Sequence, residues 1–316
     1  MRAIAITEFG GADRLRPTDL DDPLVGPDSV LIRVRAAGIN PVDYKIRQGN
    51  LAGRIPHFFP LVPGWDAAGV VEQVGPAVTE FAPGDEVFAY CRKDFVRDGT
   101  YAELVAMRDY AVAPKPRELS FEEAGGVPLA GLTALQLLRD AMRITGGERV
   151  LIHAAAGGVG GFAVQIAKDD DAHVIATASA ANHDYLRELG ADEVIDYTSE
   201  DFVSAVRERH PGGIDAVADL VGGEVQKRSA EVLAPGRGRL GSITLPPDAG
   251  RLRERGLRGH YIFVRPSASG LRVLAAMADA GRLRVHLHEV VPLAEAARAH
   301  ETLEGGHVRG KIVLRP

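Results

Sequence analysis

Cysteine and tryptophan are the scarcest residues of this 316-residue chain, which contains one of each, Cys91 and Trp65. A lone cysteine excludes an intramolecular disulfide and every zinc or iron–sulfur site that is built from several cysteines. Such sparing use of cysteine is typical of a reducing compartment. The composition therefore predicts a cytoplasmic protein, and packing rather than nucleophilic chemistry is the expected role of Cys91.

An excess of positive charge is also missing. The chain has 37 Lys and Arg against 43 Asp and Glu, which gives a net charge of −6. No polycationic surface is expected, and such a surface is what neutralises a phosphate backbone or an anionic lipid layer. We therefore expect neither a nucleic-acid partner nor a membrane partner.

Long apolar runs are absent except at residues 150–167, and this run contains His153 and four glycines. Glycines at that density would leave backbone groups unsatisfied in lipid, so the run predicts a strand, a glycine turn and a helix instead of a membrane span. The first ten residues turn acidic and rich in glycine, unlike the apolar core of a signal peptide.

Two domains are expected from the length and from a change of pattern along the chain. Up to about residue 120, short apolar or alternating runs are divided by Gly-Pro and Pro-Gly turns, which is typical of a largely antiparallel β-domain. From about residue 150, strands and helices alternate, with six strands predicted and the last at 261–264. Such alternation predicts a parallel sheet covered on both faces. A final strand at 311–314 is expected to join a sheet begun by the N-terminal segment.

A glycine-rich turn lies between the strand at 150–153 and the helix that follows it. It has the pattern G-x-G-x-x-G with its first glycine replaced by alanine, and its small or turn-forming members are Ala155, Gly157, Gly158, Val159 and Gly160. Residues without bulk let a pyrophosphate approach the N–H groups at a helix N-terminus, so this turn predicts dinucleotide binding. Close packing of helix on strand is the alternative role for these glycines.

The end of the second strand distinguishes the two nicotinamide cofactors. A carboxylate there would bind the ribose hydroxyls of NAD, whereas this chain has the sequence Thr-Ala-Ser-Ala at 177–180. The missing carboxylate favours NADPH, with Ser179 and Asn182 as predicted donors to its 2′-phosphate, helped by His183 or Arg187. No Lys or Arg follows the strand directly, so NADH remains the alternative.

Six motifs in a fixed order resemble the medium-chain dehydrogenase/reductase superfamily, specifically its zinc-independent quinone oxidoreductase and enone reductase branch. They lie at residues 38–45, 62–71, 83–87, 99–103, 155–160 and 310–314. The resemblance implies a GroES-like β-barrel catalytic domain at 1–122 and 267–316. It also implies a Rossmann domain with a doubly wound six-stranded parallel sheet at 123–266. Nicotinamide and substrate would meet in the interdomain cleft.

The zinc-dependent relatives carry a cysteine ligand where this chain has Asn40-Pro41 and a His-Glu pair where it has Trp65-Asp66. The resemblance therefore implies no catalytic zinc. It places Asn40, Asp43, Tyr44 and Lys45 at the catalytic end of the cleft, with Tyr44, Lys45 or solvent as the source of a proton. The structural alternatives are a turn stabilised by the Asn-Pro dipeptide for Asn40 and Asp43, core packing for Tyr44 and a solvated side chain for Lys45.

The same resemblance makes Trp65 an aromatic wall of the substrate pocket, for which core packing is the alternative. It adds Thr133 and Lys311 as cofactor-binding candidates. Ser242 and Phe263 are further candidates because they end the last two predicted strands, at the edge where doubly wound sheets bind ligands. It implies an NADPH-dependent reductase of quinones, enones or enals, and a homodimer that pairs the last strand of the Rossmann sheet. A pathway-specific enoyl reductase and an NADPH-binding regulatory protein with little turnover are the rival functions.

Overall fold

The computed structural model describes all residues from 1 to 316. The chain forms two compact units, the first comprising Met1–Leu132, Arg265–Gly281 and Val285–Pro316, and the second Thr133–Val264 with Arg282–Arg284. Residues 123–132, which the resemblance assigns to the Rossmann domain, lie in the first unit. The backbone N–H of Leu129 donates a hydrogen bond to Asp66 of this unit at 2.7 Å, which ties the segment to it.

The strands in chain order are β1 Arg2–Ala5, β2 Arg16–Asp19, β3 Ser29–Gly38, β4 His57–Val62, β5 Asp66–Val74, β6 Glu86–Tyr90, β7 Val96–Asp98, β8 Leu104–Arg108, β9 Val112–Pro114, β10 Arg149–Ile152, β11 His173–Ala178, β12 Glu193–Asp196, β13 Ala216–Asp219, β14 Arg239–Ser242, β15 Arg258–Tyr261, β16 Leu287–Pro292 and β17 Lys311–Arg315. The α-helices are α1 Pro41–Arg47, α2 Phe121–Gly125, α3 Pro128–Leu135, α4 Gly158–Asp169, α5 His183–Glu188, α6 Phe202–Arg209, α7 Gly223–Ser229, α8 Ala249–Glu254, α9 Ala268–Asp279 and α10 Ala296–Glu304. A π-helical stretch, Gln136–Met142, continues α3. No helix has both the length and the apolar character needed to cross a bilayer.

The first unit is built on a seven-stranded sheet with the order β16-β17-β3-β5-β6-β9 and with β8 also paired to β3. Strand β3 pairs antiparallel with β5, β8 and β17, as does β6 with β5 and β9. The expected antiparallel β-domain is therefore confirmed, and the last strand of the chain joins the N-terminal strand β3 as predicted. The pairing of Val313 with Gly38 brings the start of β17 to the end of β3.

The second unit contains six parallel strands in the order β12-β11-β10-β13-β14-β15. The strand order reverses between β10 and β13, which is the arrangement of a doubly wound dinucleotide-binding sheet. One side of this sheet packs a hydrophobic cluster in which Leu151, Ile175, Val217 and Leu240 are buried. The predicted fold class, a Rossmann sheet combined with a GroES-like β-domain, is confirmed.

The sixth strand of this sheet lies three residues earlier than the expected 261–264. Strand β15 ends at Tyr261, and its register on β14 runs from Arg258 opposite Arg239 to Tyr261 opposite Ser242. Gly256, with φ of +68°, turns the chain into this register after α8. The apolar run at 261–264 suggested the strand, but the pairing with β14 fixes where it starts. Phe263 consequently lies after the strand and not within it.

Candidate active site

Asn40 ends the sharp connection from β3 to α1 and forms the N-cap of that helix. Its backbone N–H donates to Asp43 Oδ2 at 2.8 Å, and the Asp43 N–H donates to Asn40 O at 2.9 Å. Pro41 occupies the first helical position, where its missing N–H costs nothing. These contacts start the helix at a fixed place and make both predicted residues part of its cap.

The side chain of Asn40 joins two residues from distant parts of the chain. Its Nδ2 donates to Asp66 Oδ2 at 2.8 Å, and its Oδ1 accepts a short hydrogen bond from Lys311 Nζ. Lys311 Nζ also donates to the carbonyl oxygen of Ile39 at 2.9 Å and lies 3.8 Å from Asp66 Oδ2. The structure thus places two predicted site residues, Asn40 and Lys311, in direct contact, because β17 lies beside β3.

Asp66 and Lys311 form a buried ion pair. Burial raises the pKa of Asp66 to about 6, although Lys311 and the hydrogen bond from Asn40 counteract it. Burial likewise lowers the pKa of Lys311, while Asp66 and Asp43 raise it. The second oxygen of Asp66 accepts from the Leu129 N–H, so the carboxylate has a partner on each side.

The donor set around Asn40 does not fit a zinc ion. An amide and a carboxylate face the Lys311 ammonium, which supplies a positive charge hydrogen-bonded to the amide oxygen. Neither a cysteine nor a histidine stands at Asn40 or Trp65, where the resemblance places zinc ligands. The one group of three metal-ligating side chains in the chain is His173, Glu193 and His210, in the second unit.

A second buried chain of hydrogen bonds leads from Asp43 to α10. Tyr101 OH donates to Asp43 Oδ2 at 3.1 Å, and the Tyr101 oxygen lies 2.9 Å from His300 Nε2. Arg47 donates to His300 Nδ1 at 3.4 Å and forms a 2.6 Å ion pair with Glu304. The remaining oxygen of Asp43, Oδ1, is buried without a hydrogen-bond partner.

The charges of these groups determine which atom donates in each hydrogen bond between Asp43 and Arg47. Burial, with the Arg47 charge adding to it, lowers the pKa of His300 to about 3, so the ring is neutral. Because Arg47 can only donate, Nδ1 accepts and the ring proton sits on Nε2, which then donates to the Tyr101 oxygen. Burial raises the pKa of Asp43 to about 7, although the Asn40 N–H and the Tyr101 hydroxyl lower it.

Sequence reasoning missed Tyr101, His300 and Arg47. Tyr101 lies inside one of the quoted motifs and carries a hydroxyl, so its position already offered a signal. His300 offered no local signal in the sequence, yet its side chain is buried. Arg47 is also buried, and only the fold brings its partner Glu304 within reach from 257 residues away. No local pattern encodes that contact.

Three other predicted residues of the first unit lie outside these networks. Tyr44 is half-buried, and burial, followed by the Glu304 charge, raises its pKa. Lys45 is exposed. Trp65 is only 4% exposed and packs edge-on against Tyr90 with ring centroids 6.2 Å apart. Burial also raises the pKa of the Cys91 thiol to about 12, which agrees with a packing role.

The glycine turn of the second unit joins β10 to α4, whose first residue is Gly158. Gly157 is the N-cap in extended conformation, and no side chain caps the helix. The N–H groups of the first helical turn, at Gly158, Val159 and Gly160, have no partner within the helix. Ala155, just before the turn, is buried. The predicted residues therefore form one backbone cradle.

Gly160 and Gly157 have different structural roles. A Cβ on Gly160 would lie 2.4 Å from Ala154 O and 2.6 Å from the Cα of Ala155, so the helix can approach the strand only with glycine there. A Cβ on Gly157 would meet only Ala154 O, at 3.3 Å. Gly160 serves the packing, and Gly157 leaves open the space in front of the free N–H groups. This cradle fits the pyrophosphate of a dinucleotide.

His153, directly after β10, holds the start of the glycine turn in place through side-chain hydrogen bonds. Its Nδ1 lies 3.2 Å from Thr177 Oγ1, and its Nε2 lies 3.0 Å from Ser229 Oγ. The same Thr177 oxygen accepts from the Ala154 N–H at 3.3 Å. Burial lowers the pKa of His153 to about 4, so the ring stays neutral. Sequence reasoning noted this histidine only as a reason against a membrane span.

Ser179 follows the last residue of β11, and Asn182 Nδ2 donates to its hydroxyl oxygen at 3.1 Å. Both predicted residues are half-buried and adjacent in space. The nearest downstream acid, Asp184, has a side chain that is 94% exposed and paired with Arg187. Tyr185, which sequence reasoning missed, places its hydroxyl where a Cβ on Gly161 would approach it to 3.0 Å, beside the first turn of α4.

The remaining cofactor candidates are more scattered. Thr133 is buried within α3, and Ser242 ends β14 with its hydroxyl donating to Asp219 Oδ2 at 2.9 Å. Phe263 follows the end of β15 and is 46% exposed. Ser242 and Phe263 thus lie at the carboxyl ends of their strands, the edge at which doubly wound sheets bind ligands.

Comparison with known proteins agrees with this architecture. Residues 26–117 match a family model described as the alcohol dehydrogenase GroES-like domain, and residues 189–314 match one described as zinc-binding dehydrogenase. The donor set at Asn40 departs from the second description.

Several known proteins match this chain along its whole length. A chloroplastic quinone-oxidoreductase homolog from Spinacia oleracea is 32% identical over all of this chain and 98% of its own length. A chloroplastic NADPH-dependent alkenal/one oxidoreductase from Arabidopsis thaliana is 34% identical over all of this chain and 80% of its own. The solved structure of the quinone oxidoreductase from Coxiella burnetii is 36% identical, with a TM-score of 0.89 over all of this chain and 99% of its own. The chain belongs to the quinone oxidoreductase and enone reductase branch of the medium-chain dehydrogenase/reductase superfamily.

Proposed function

We propose that this protein uses NADPH to reduce quinones or the conjugated C=C bond of enones and enals. The observation that carries the proposal is the similarity, along the full length of this chain, to proteins named as quinone oxidoreductases and as an alkenal/one oxidoreductase. The glycine cradle of the second unit and the zinc-free donor set of the first unit are both consistent with this chemistry.

The cofactor, when bound, supplies a hydride from its reduced nicotinamide ring. The first-turn N–H groups of α4 would bind its pyrophosphate, and Ser179 with Asn182 would bind the 2′-phosphate that distinguishes NADPH from NADH. The absence of a carboxylate directly after β11 supports the phosphate, because a negative side chain there would repel it. We retain Thr133, Ser242 and Phe263 as further cofactor contacts.

The reaction requires one hydride and one proton. In an enone, the hydride forms a C–H bond at the β-carbon, the C=C electrons form a double bond between the α-carbon and the carbonyl carbon, and the C=O electrons move onto the oxygen. A proton then adds at the α-carbon, and the C=O bond forms again. We assign the proton to Tyr44, because this half-buried residue carries a hydroxyl and lies on α1 beside Asp43. Asn40, Asp43 and Lys311 act as positioning residues, since their polar atoms fix the start of that helix.

Tyr44→Phe tests this assignment. We expect kcat with an enone to fall about tenfold or more, since a positioned proton donor contributes at least that much. Restoration of the rate by lower pH would identify solvent as a substitute donor. A variant with unchanged kcat and an unchanged pH profile would overturn the role of Tyr44, and Lys45→Met would then be examined in the same way.

The function itself is tested by the initial rate of NADPH oxidation with a simple quinone and a linear trans-enone, measured with and without a metal chelator. We expect turnover that the chelator leaves unchanged. A saturated ketone product would favour enone reduction, and turnover of quinone alone would favour quinone reduction. NADPH binding without turnover of either acceptor would contradict the proposal and favour the regulatory or pathway-specific alternatives.

We also propose a homodimer and a cytoplasmic location. Strand β15 is at the open edge of the second unit's sheet, and its last residue, Tyr261, is 42% exposed. An unpaired edge strand with an exposed aromatic residue favours pairing with a second copy. Light scattering should give twice the 33.7 kDa chain mass, and Tyr261→Lys should shift it toward the monomer. The single cysteine supports the reducing compartment.

A further inference from the structure

A cavity of about 440 Å³ in the second unit is lined by basic side chains at the edge of the sheet opposite to the glycine turn. Arg239 and Arg258 are the first residues of β14 and β15, whereas the glycine turn follows the last residue of β10. Because the six strands are parallel, their amino ends share one edge and their carboxyl ends the other. The cavity is therefore separate from the cradle assigned to the cofactor.

Three arginines and a histidine converge on this cavity, namely Arg143, Arg239, Arg258 and His260. Arg143 and Arg258 have exposed side chains, and neither forms an ion pair within the chain. Arg239 is buried and paired with Glu148. Asp140 is the one acid on the lining, and Glu148 pairs with Arg239 from outside it, so the three guanidinium groups leave the cavity with positive charge.

Two polar atoms at this cavity are buried without a partner. They are Nε of Arg239, a residue only 9% exposed, and Nε2 of His260. A buried N–H that has no acceptor costs free energy, so native proteins rarely leave one unmatched without a functional reason. An anion in the cavity would provide the acceptor that the Arg239 Nε–H lacks, since arginine always carries that proton. Arg143 ends the π-helical stretch Gln136–Met142 as its left-handed C-cap, with φ of +53°, which is a common way for a helix to end.

The electrostatic surroundings of His260 agree with this picture. Burial lowers the pKa of His260, and the charges of Arg258, Arg239 and Arg143 lower it further, with no carboxylate opposing them. The ring thus lies among three positive charges that no carboxylate opposes. A multiply charged oxyanion would relieve that excess.

We propose that this cavity binds the phosphate or pyrophosphate group of a small phosphorylated molecule. Guanidinium groups match phosphate oxygens through paired N–H donors, and a volume of about 440 Å³ suffices for a small phosphorylated metabolite. The site does not depend on the reductase assignment, because none of its residues belongs to the cofactor cradle or to the Asn40 networks. Arg258 and His260 lie on β15, the strand proposed above to pair with a second copy, so light scattering accompanies the binding test.

Calorimetric titration of the full chain with inorganic pyrophosphate, in the presence of excess NADPH, tests the proposal. We expect wild-type protein to bind pyrophosphate, and the double variant Arg143→Ala/Arg258→Ala to bind it about tenfold or more weakly. Arg253→Ala removes another exposed, unpaired arginine of the same unit and should bind like wild type. Thermal unfolding without ligand checks that all variants are folded.

The outcomes separate this proposal from the reductase assignment. If NADPH fails to bind, pyrophosphate also reaches the glycine turn, but the difference between the double variant and Arg253→Ala still reports on the cavity. Equal weakening in both variants, or none in either, would overturn the site. Succinate binding as tightly as pyrophosphate would overturn the phosphate assignment. A pyrophosphate-induced change of oligomeric state that accounts for the heat would also contradict it.

Discussion

The polar groups of the Asn40 networks are paired with one another, whereas those of the glycine turn are left without partners in the helix. Around Asn40, Asp66 and Lys311, side-chain donors and acceptors are paired with one another inside the first unit. At the turn, three successive N–H groups of α4 have no partner in the helix and no capping side chain. We call the first region, with its mutually paired side chains, the frame, and its loss should lower the stability of the fold. The second keeps free donors, and its loss should damage binding.

The largest expected effect comes from breaking the frame. Lys311→Met removes the ammonium but leaves Asp66 buried, so we expect the free energy of unfolding to fall by about 3–5 kcal/mol. Adding Asp66→Asn should recover part of this loss. Denaturant unfolding measures both, and Lys227→Met, at an exposed lysine, should change stability by less than about 0.5 kcal/mol. A Lys311→Met protein as stable as wild type would show that the pair is not a frame.

Substitutions at Gly157 and Gly160 separate cofactor binding from stability within the turn itself. Gly157→Val should leave the protein folded, because its Cβ meets only one atom at 3.3 Å, but NADPH affinity should fall about 100-fold or more. Gly160→Val should instead lower the unfolding temperature, because its Cβ would collide with backbone atoms of Ala154 and Ala155. Calorimetry and thermal unfolding separate the two effects. Unchanged NADPH affinity in Gly157→Val would remove the turn from the cofactor site.

The buried carboxyl group of Asp43 makes the stability of the folded protein depend on pH. Burial raises its pKa to about 7 in the folded protein, from 3.8 when unfolded, so the protonated form favours folding. The resulting stabilisation is complete below pH 3.8 and is lost as the pH rises through about 7. Asp43→Asn removes this loss, so the variant should gain stability relative to wild type between pH 5 and pH 8. An equal stability difference at both pH values, measured by denaturant unfolding, would contradict the shift.

The smallest expected effect is a change of cofactor preference at Ser179. Ser179→Asp places a carboxylate after β11, which should repel a 2′-phosphate and lower the NADPH-to-NADH ratio of kcat/KM about tenfold. Ser179→Asn adds similar bulk without charge and should leave the ratio near that of wild type. A ratio that Asp leaves unchanged would place the 2′-phosphate elsewhere.

Local signals in the sequence predicted the second unit well. Continuous apolar runs indicate its strands. Closely spaced glycines indicate its turn, because the start of α4 approaches Ala154 too closely for a side chain at Gly160. The start of β15 escaped prediction because pairing with β14, and not hydropathy, sets it. The first unit was predicted as a β-domain, but its buried networks depend on partners such as Asn40 with Lys311, which are 271 residues apart. No periodicity encodes such contacts, so His300 and Arg47 became visible only in three dimensions.

Transfer of deuterium from NADPH labelled at C4 to a linear trans-enone tests the central claim most directly. Product analysis by mass spectrometry and NMR locates the label. Reduction of the conjugated double bond predicts one deuterium at the β-carbon of a saturated ketone and none at the carbonyl carbon. Deuterium at the carbonyl carbon of an alcohol product would contradict the account, because it would make this protein a carbonyl reductase.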